Sequence, residues 1–246
     1  MRAINLKSLE VPVGWVTCTL PDFTHLEMGQ SPPSETYNHQ KIGLPFFQGK
    51  AEFTSLHPEI DKYCSEPSKI AIAGATLLSV RAPVGPTNLA NIDCCIGRGL
   101  AGIHPLGGIE PKFILFLMRS IEKEISDKGT GSTFSAINKT FLEELVFALP
   151  PLSEQKRIVA KVEELFSELD KGIENLKTAR EQLKVYRKAI LKHAFEGKLT
   201  TRWREQNKDK LETADQLLER IKREHEAYYQ IQLEEWKESI VRQASS

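Results

Sequence analysis

The sequence lacks an excess of charge of either sign. Its 246 residues contain 33 Lys and Arg against 33 Asp and Glu, so the formal net charge is zero. Residues 1–152 carry 13 basic against 15 acidic side chains, so the front of the chain is not basic either. Nucleic-acid-binding domains usually show a basic excess. Composition alone therefore does not favour DNA or RNA binding.

Disulfide and membrane signals are also missing. The cysteines at positions 18, 64, 94 and 95 show no C-x-x-C spacing, and an adjacent Cys pair is a poor disulfide element. No run approaches the roughly 20 apolar residues that cross a bilayer, and residues 1–7 lack the apolar core of a signal peptide. We therefore expect a soluble protein in the reducing cytoplasm.

Catalytic motifs are missing as well. There is no Gly-rich turn for an adenosyl cofactor, no Asn/Asp-Pro-Pro-aromatic tetrapeptide for methyl transfer, and no P-loop. The six histidines show no metal-ligand spacing. A nuclease site built from Pro21-Asp22 and Glu110-Pro111-Lys112 would place a proline inside a central strand, which needs that backbone N–H. The sequence predicts no enzymatic activity, no cofactor and no metal site of its own.

A long heptad pattern follows Pro150-Pro151. Two seams recur every seven positions: Val162, Leu169, Leu176, Leu183 and Ile190, and Ile158, Leu165, Gly172, Ala179 and Tyr186. This is the a/d pattern of a coiled-coil helix. Ser153 is predicted to cap its first turn and Gly197 to end it. About 44 residues at roughly 1.5 Å each give a helix of about 65 Å. Its seam needs a partner helix, from later in this chain or from another chain.

Residues 1–150 are predicted to form one mixed α/β domain. Gly and Pro turns separate short β-rich runs such as 69–80 and 141–149. Pro111 suits the first turn of an amphipathic helix that extends to about Lys128.

The rest of the chain is predicted to be helical, which makes the fold class α+β. Residues 151–199 form the long coiled-coil helix, and residues 200–246 comprise a polar link, 200–210, followed by a second amphipathic helix. That helix begins near Thr213, where Thr213 and Gln216 match a capping box. The polar end of the chain is compatible with a longer polypeptide.

Three loops carry side chains suited to nucleic acid. Gly29-Gln30-Ser31-Pro32-Pro33-Ser34 is small, polar and stiffened by prolines. Arg81 and Asn88 follow a strand, and such side chains can read guanine and adenine edges. Residues 129–133, followed by Lys139, offer hydroxyls and amides for phosphate oxygens. A surface turn, an ion-paired Arg and a flexible link are the structural alternatives.

A basic face lies near the end of the long helix and continues past Gly197. Its members are Lys184, Arg187, Lys188, Lys192, Lys198, Arg202 and Arg204. Such a face can contact phosphates or an acidic partner. It also complements the negative end of the helix dipole, so both interpretations stay open.

In chain order, a series of short motifs resembles the specificity (S) subunit of type I restriction-modification systems, and in particular its first half. They are Pro12-Val13-Gly14-Trp15, Gly29-Gln30-Ser31-Pro32-Pro33-Ser34, Gly43-Leu44-Pro45-Phe46, Arg81-Ala82-Pro83-Val84-Gly85, Gly97-Arg98-Gly99-Leu100, Gly131-Ser132-Thr133-Phe134, Leu149-Pro150-Pro151-Leu152-Ser153-Glu154-Gln155-Lys156-Arg157-Ile158-Val159 and Phe195-Glu196-Gly197-Lys198-Leu199. The match covers nearly the whole chain. A complete member has two target recognition domains and two spacer helices, whereas this chain has one of each. It is either part of a longer subunit or a half-length subunit that pairs as a homodimer with two-fold symmetry.

The resemblance implies that residues 1–150 form a DNA target recognition domain and residues 151–199 form the spacer. An S subunit does no chemistry itself. It directs modification subunits, which methylate adenine with S-adenosylmethionine, and an ATP-dependent restriction subunit to a bipartite site in double-stranded DNA. The predicted DNA-binding residues are Gln30, Ser31, Lys50, Arg81, Asn88, Arg98, Ser132, Thr133 and Lys139. The predicted coiled-coil interface is Ile158, Val162, Leu165, Leu169, Leu176, Leu183, Tyr186 and Ile190.

The competing interpretation is a coiled-coil adaptor whose front domain binds a protein or a small ligand, which the neutral charge allows. An adaptor has little reason to group the loops around Gln30, Arg81 and Ser132 on one face. We therefore favour sequence-specific DNA recognition.

Overall fold

The computed structural model describes residues 11–130, 136–208 and 212–244, in which short strands lie before residue 150 and two long helices follow. The strands are β1 (Val16–Thr19), β2 (Thr24–Met28), β3 (Tyr37–Asn38), β4 (Leu44–Phe47), β5 (Lys62–Cys64), β6 (Ile70–Ala71), β7 (Thr76–Ser79), β8 (Thr87–Leu89), β9 (Cys94–Ile96), β10 (Leu100–Pro105) and β11 (Val146–Leu149). The helices are α1 (Leu20–Phe23), α2 (Pro111–Ser120), α3 (Glu122–Thr130), α4 (Lys139–Glu143), α5 (Leu152–Phe195), α6 (Thr201–Gln206) and α7 (Ala214–Ala244). The predicted α+β class is confirmed. The chain divides into two compact units, Met1–Asp170 and Lys171–Ser246.

A four-stranded antiparallel sheet in the order β2-β10-β7-β8 is the centre of the first unit. Its middle strands are buried on both faces. Because side chains alternate along a strand, Leu78 packs with Phe113 and Met118 of α2, whereas Leu77 packs with Phe47 in a second cluster. The sheet is therefore covered by α2 on one side and by the neighbouring sheet on the other.

The second sheet has the order β3-β5-β4-β9-β6, and its β4 and β9 strands run parallel. Phe46 is paired with Cys95 and Phe47 with Ile96. Since parallel strands end at the same edge, the segments that follow them, 48–50 and 97–99, emerge side by side. The smaller third sheet pairs β1 with β11.

Several predicted elements are shorter or more interrupted than the sequence pattern indicated. The predicted helix from Pro111 to Lys128 is two helices, because the backbone of Ile121 (φ −114°, ψ 14°) leaves the helical region. In the predicted run 141–149, the first residues close α4 and only Val146–Leu149 is a strand. The predicted polar link contains the short helix α6.

The start of α5 differs from its predicted cap. Because α5 begins at Leu152, Ser153 lies inside the first turn and not at the N-cap, so that prediction is wrong. Gln155 and Val159 are buried at the domain, and Gln155 Nε2 donates to the Pro150 carbonyl at 2.8 Å. Ile158, predicted to lie in the coiled-coil seam, packs against the domain core instead.

Further along, the long helix agrees with its prediction. It spans 44 residues, and Gly197 follows it with φ +71°, the left-handed conformation that glycine adopts at a helix end. Two contacts tie the early turns of α5 to α2: the ring of Phe166 meets that of Phe116 edge-on, and Glu163 pairs with Lys112.

Within the second unit, α7 has the predicted capping box. Thr213 N–H donates to Gln216 Oε1 at 3.0 Å, and Gln216 N–H donates to Thr213 Oγ1 at 3.2 Å. Most described apolar side chains of α7 are exposed, among them Leu218, Tyr228 and Trp236, and so are the α5 seam residues of this unit, where Leu176 is 72% and Leu183 is 60% accessible. Within this unit, α7 therefore does not cover the seam residues Leu176 and Leu183, as the alternative prediction required. In the part of the chain described, no helix is long and apolar enough to cross a membrane.

Candidate nucleic-acid interface

Three glycines let three loops of the first unit pack directly on one another. A Cβ on Gly29 would lie 2.2 Å from the Gly97 carbonyl oxygen, and a Cβ on Gly99 would lie 2.2 Å from that of Gln48. A Cβ on Gly97 would lie 3.2 Å from the Gln48 Cα. Backbone hydrogen bonds hold the same contacts, including Gln30 N–H to the Ile96 carbonyl at 3.0 Å. Loops 29–34, 48–50 and 97–99 therefore form one surface.

Positive side chains converge on this surface around a shallow groove of about 220 Å³. Its lining residues are Gln48, Gly49, Lys50, Ser79, Arg81, Ala82, Arg98 and Gly99. We call this set the cationic groove. It contains three cations and no carboxylate, and Lys50, Arg81 and Arg98 are exposed. None of the three forms an ion pair with the residues that the structure describes. Their charge is therefore available to an anionic ligand.

The loop that carries Gln30 and Ser31 is fixed beside the groove. Tyr37 stacks on Phe46 with ring centroids 4.5 Å apart, and its hydroxyl donates to the Pro32 carbonyl at 2.8 Å. Partial burial, with smaller contributions from nearby thiols, raises the pKa of Tyr37, so the hydroxyl remains a donor at neutral pH. Ser31 Oγ in turn accepts from the backbone N–H of Arg98 at 3.3 Å.

Arg81 is held at the end of β7 by its backbone, which leaves its guanidinium free. Ser79 Oγ is placed to donate to the Arg81 carbonyl (3.1 Å) and the Pro83 carbonyl (2.9 Å). Val80 connects this strand end to two neighbours, since its N–H donates to the Gly99 carbonyl and its carbonyl accepts from Ile137 N–H. A rigid backbone with an exposed Arg is suited to directional contacts.

Two of the predicted DNA-binding residues have a different environment from the groove. Asn88 is 0% exposed, and its Nδ2 donates to the Thr54 carbonyl at 2.8 Å, so this residue cannot read a base edge and the prediction is wrong for it. Lys139 is exposed at the start of α4, where it pairs with Glu143 at 3.5 Å. Ser132 and Thr133 lie outside the described residues.

Gln48 is a groove residue that the sequence reasoning missed. It is exposed and follows β4 as Arg81 follows β7. A polar side chain directly after an apolar strand was the available signal. Only the parallel pairing of β4 with β9 shows that it lies beside Arg98.

The packing of the loops predicts an asymmetry between two glycines of the groove. Gly99→Ala should destabilise the first unit by about 1–3 kcal/mol, because its Cβ would overlap the backbone oxygen of Gln48. Gly49→Ala is the matched control. Gly49 has an extended backbone, and beyond its two chain neighbours no atom of the described structure lies within 4 Å of the position that its Cβ would take, so its substitution should change stability by less than about 0.5 kcal/mol. Urea unfolding of both variants measures the difference, and equal stabilities would contradict the packing.

A mixed domain with a cationic loop surface, followed by a long helix, agrees with what comparison with known proteins shows. The model of the type I restriction modification DNA specificity domain matches residues 12–178, and the chain belongs to this family. Over 193 residues it is 38% identical to a putative type I restriction enzyme MjaX specificity subunit of Methanocaldococcus jannaschii, a match covering 77% of this chain and 44% of that protein. It is 36% identical over 210 residues to the EcoKI specificity subunit of Escherichia coli K12, covering 79% and 45%.

The fold is shared with a solved relative. The crystal structure of the HsdS subunit from Thermoanaerobacter tengcongensis is 43% identical, with a TM-score of 0.65, over 78% of this chain and 47% of that one. A structure from work on assembly and conformational transition of the type I R-M system matches at 43% identity and a TM-score of 0.68, over 77% and 48%. The chain thus spans less than half the length of the relatives named here.

Proposed function

We propose that this chain is a DNA-recognition module of a type I restriction-modification complex and has no catalytic activity of its own. Residues 1–150 are the target recognition domain, residues 151–199 are the spacer helix, and residues 200–246 are a link and a second helix. The observation that carries the proposal is the cationic groove in a member of this family, where a Gln and three cations that pair with no described carboxylate share one surface. The adaptor alternative has no comparable support.

The groove explains how a chain with zero net charge can bind DNA, since it gathers three cations on one surface. Binding to DNA depends on the local field and on phosphate contacts, and neither requires a basic domain overall. Within the groove, Arg81, Arg98 and Gln48 have side chains that pair in bidentate fashion with guanine or adenine edges. Lys50 is a point charge suited to a phosphate oxygen. Gln30 and Ser31 extend the surface, and Ser132, Thr133 and Lys139 remain proposed contacts.

The proposed partners are those that the family's relatives imply. Modification subunits would methylate the DNA that this chain selects, and a restriction subunit would act on the same complex. In this proposal the chain recognises the DNA sequence, and the partner subunits carry out the reactions that need a cofactor. The names of the relatives support this assignment, since they are specificity subunits of restriction enzymes.

We further propose that the seam of α5 pairs antiparallel with the same helix of a second copy. The exposed seam residues are Leu165, Leu169, Leu176, Leu183, Tyr186 and Ile190, with Val162 half-buried. Such a stripe is costly in water and has the heptad spacing that a partner helix fits. Antiparallel pairing relates two recognition domains by a two-fold axis, so the recognised half-sites would be inverted repeats. Their centres would lie about 34–36 Å apart, one turn of DNA.

Selection from a random-sequence duplex library tests the function. The chain, alone and with its modification subunits, is incubated with the library, and the bound duplexes are sequenced. A bipartite inverted-repeat motif is expected, with adenine methylation of that motif only when the modification subunits and S-adenosylmethionine are present. The chain alone, given magnesium, ATP and S-adenosylmethionine, should leave DNA unmethylated and uncut. Failure to enrich any motif, or catalysis by the pure chain, would reject the proposal.

A further inference from the structure

The loop of residues 53–57, which follows the groove residues 48–50 in the chain, is held by hydrogen bonds from two side chains. Asn88 Nδ2 donates to the carbonyl of Thr54 at 2.8 Å, and an Arg119 guanidinium nitrogen donates to the carbonyl of Ser55 at 2.7 Å. Asn88 lies on β8 and Arg119 on α2. We call residues 53–57 the clamped loop. Two adjacent carbonyls of this loop are thus bound by donors from two different elements.

The remaining backbone of the clamped loop is bound to β8 as well. Leu89 N–H donates to the Leu56 carbonyl at 2.8 Å, and the ring nitrogen Nδ1 of His57 lies 2.8 Å from the Leu89 carbonyl. Thr54 Oγ1 donates to the His57 carbonyl at 2.6 Å, which closes the loop on itself. Residues 54 to 57 are therefore each fixed by at least one hydrogen bond, which is unusual for a surface connection.

The clamped loop determines where the neighbouring groove residues lie. Phe53 N–H donates to the Lys50 carbonyl at 2.9 Å, and Glu59 N–H donates to the Glu52 carbonyl at 2.8 Å. One short helical turn, Lys50–Glu52, thus separates Gln48 from the loop. Because the Phe53 N–H bond ties the loop to Lys50, a displacement of residues 53–57 should also shift Lys50 and the nearby Gln48.

Asn88 occupies its position at an energetic cost. Its Oδ1 is buried and has no hydrogen-bond partner in the described structure, so half of the amide is unsatisfied. A buried polar group without a partner is destabilising, and this cost offsets part of what the bond to Thr54 contributes. The clearest role of the amide is therefore to position the Thr54 carbonyl.

Arg119 is also more buried than an ordinary surface arginine. Burial lowers the pKa of its guanidinium, and nearby Glu122 acts in the opposite direction. Arginine remains charged in proteins, so the group that binds the Ser55 carbonyl is a cation. Its bond to a neutral carbonyl at 2.7 Å is charge-assisted and short, which favours one loop geometry over others.

We propose that Asn88 and Arg119 are positioning residues for DNA specificity: they clamp residues 53–57 so that Lys50 and Gln48 stay in register with Arg81. This inference rests on the proposed function. Neither side chain would touch DNA. Losing either should leave attraction to phosphates nearly intact, because the groove keeps its charges, but should reduce discrimination between sequences, which requires fixed geometry.

The test uses the full chain with Asn88→Leu and Arg119→Met, each of which removes one donor and keeps the side-chain size. Thr87→Val is the matched control, since Thr87 is the neighbouring β8 residue and its buried Oγ1 likewise has no hydrogen-bond partner among the described residues. Two quantities are measured: amide hydrogen exchange of residues 53–59, and the affinity ratio between a library-selected duplex and a scrambled duplex. Either clamp variant should exchange at least about tenfold faster in this loop and lose about tenfold in the ratio. Affinity for the scrambled duplex should change less than about twofold, and Thr87→Val should match the wild type.

The possible failures are distinguishable. If loop exchange is unchanged in both clamp variants, or if it rises while the affinity ratio stays at the wild-type value, the positioning role is overturned and the proposed function stands. If the wild-type chain does not distinguish the two duplexes, the proposed function is overturned, and this inference with it. Arg119→Met keeps the test valid if Asn88→Leu does not fold, because Arg119 is only half-buried at the edge of α2.

Discussion

Arg81→Ala should weaken binding to the selected duplex by about 1–3 kcal/mol, which is about 5- to 150-fold, and should relax the preference at one base pair. The Arg81 side chain is exposed in the groove and forms no ion pair with any described residue, so its removal should leave the fold intact. Affinity is measured by fluorescence anisotropy on duplexes with single base-pair changes. Arg157→Ala removes the same charge from an exposed position on α5 outside the groove and should bind as the wild type does.

Lys50→Ala separates base reading from phosphate attraction in the same groove. A lysine on a phosphate contributes equally to every sequence, so its loss should weaken all duplexes alike and reduce the salt slope of binding by about one unit. If Arg81→Ala behaves in this uniform way as well, Arg81 contacts phosphate and the base reader must be sought at Arg98 or Gln48. Unchanged binding by the folded Arg81 variant would remove it from the interface.

Local periodicity made the helices the most predictable part of the fold. The length of α5, its end at Gly197 and the capping box of α7 follow from residues within a few positions of each other, and the structure confirms them. The break at Ile121 was not predictable, because the apolar spacing continues through it. The periodicity also could not show that Ile158 packs against the domain core and not against a second helix. Either contact requires an apolar residue at the same position of the stripe.

The candidate site was predictable only in part, for a related reason. A polar residue after a predicted strand is visible in the sequence, which is why Arg81 was predicted to read a base, and Arg98 stands in a motif of the family resemblance. Which of them face solvent depends on strand pairing. Asn88 was assigned to base reading because of its side-chain chemistry, but it lies on β8 against β7 with its amide turned to Thr54. Gln48 was missed because the residues beside it in the groove, Arg98 and Gly99, are about 50 positions away in the sequence and are brought close only by the pairing of β4 with β9.

The Leu176→Asp, Leu183→Asp double variant should convert a wild-type dimer into a monomer. Burying a leucine side chain is worth about 1.5–3 kcal/mol, and a symmetric dimer would lose four of them, so the loss is at least about 6 kcal/mol before the desolvation of four carboxylates is added. Both leucines are exposed in the single chain, at 72% and 60%, so the fold of each copy should not change. Light scattering over a range of concentrations gives the mass, and circular dichroism checks the helix content.

Val185→Asp, Leu191→Asp is the control that makes this result specific to the seam. Both residues are exposed apolar side chains of the same helix, at 68% and 59%, but they lie outside the a and d positions. This variant carries the same added charge and should remain dimeric. A concentration-independent wild-type monomer would reject the homodimer and would leave the seam to a helix of a different chain. If both double variants dissociate, added charge and not the seam controls assembly. If only the seam variant does, the two copies meet along Leu176 and Leu183, and the DNA site must then have the two-fold symmetry of the dimer.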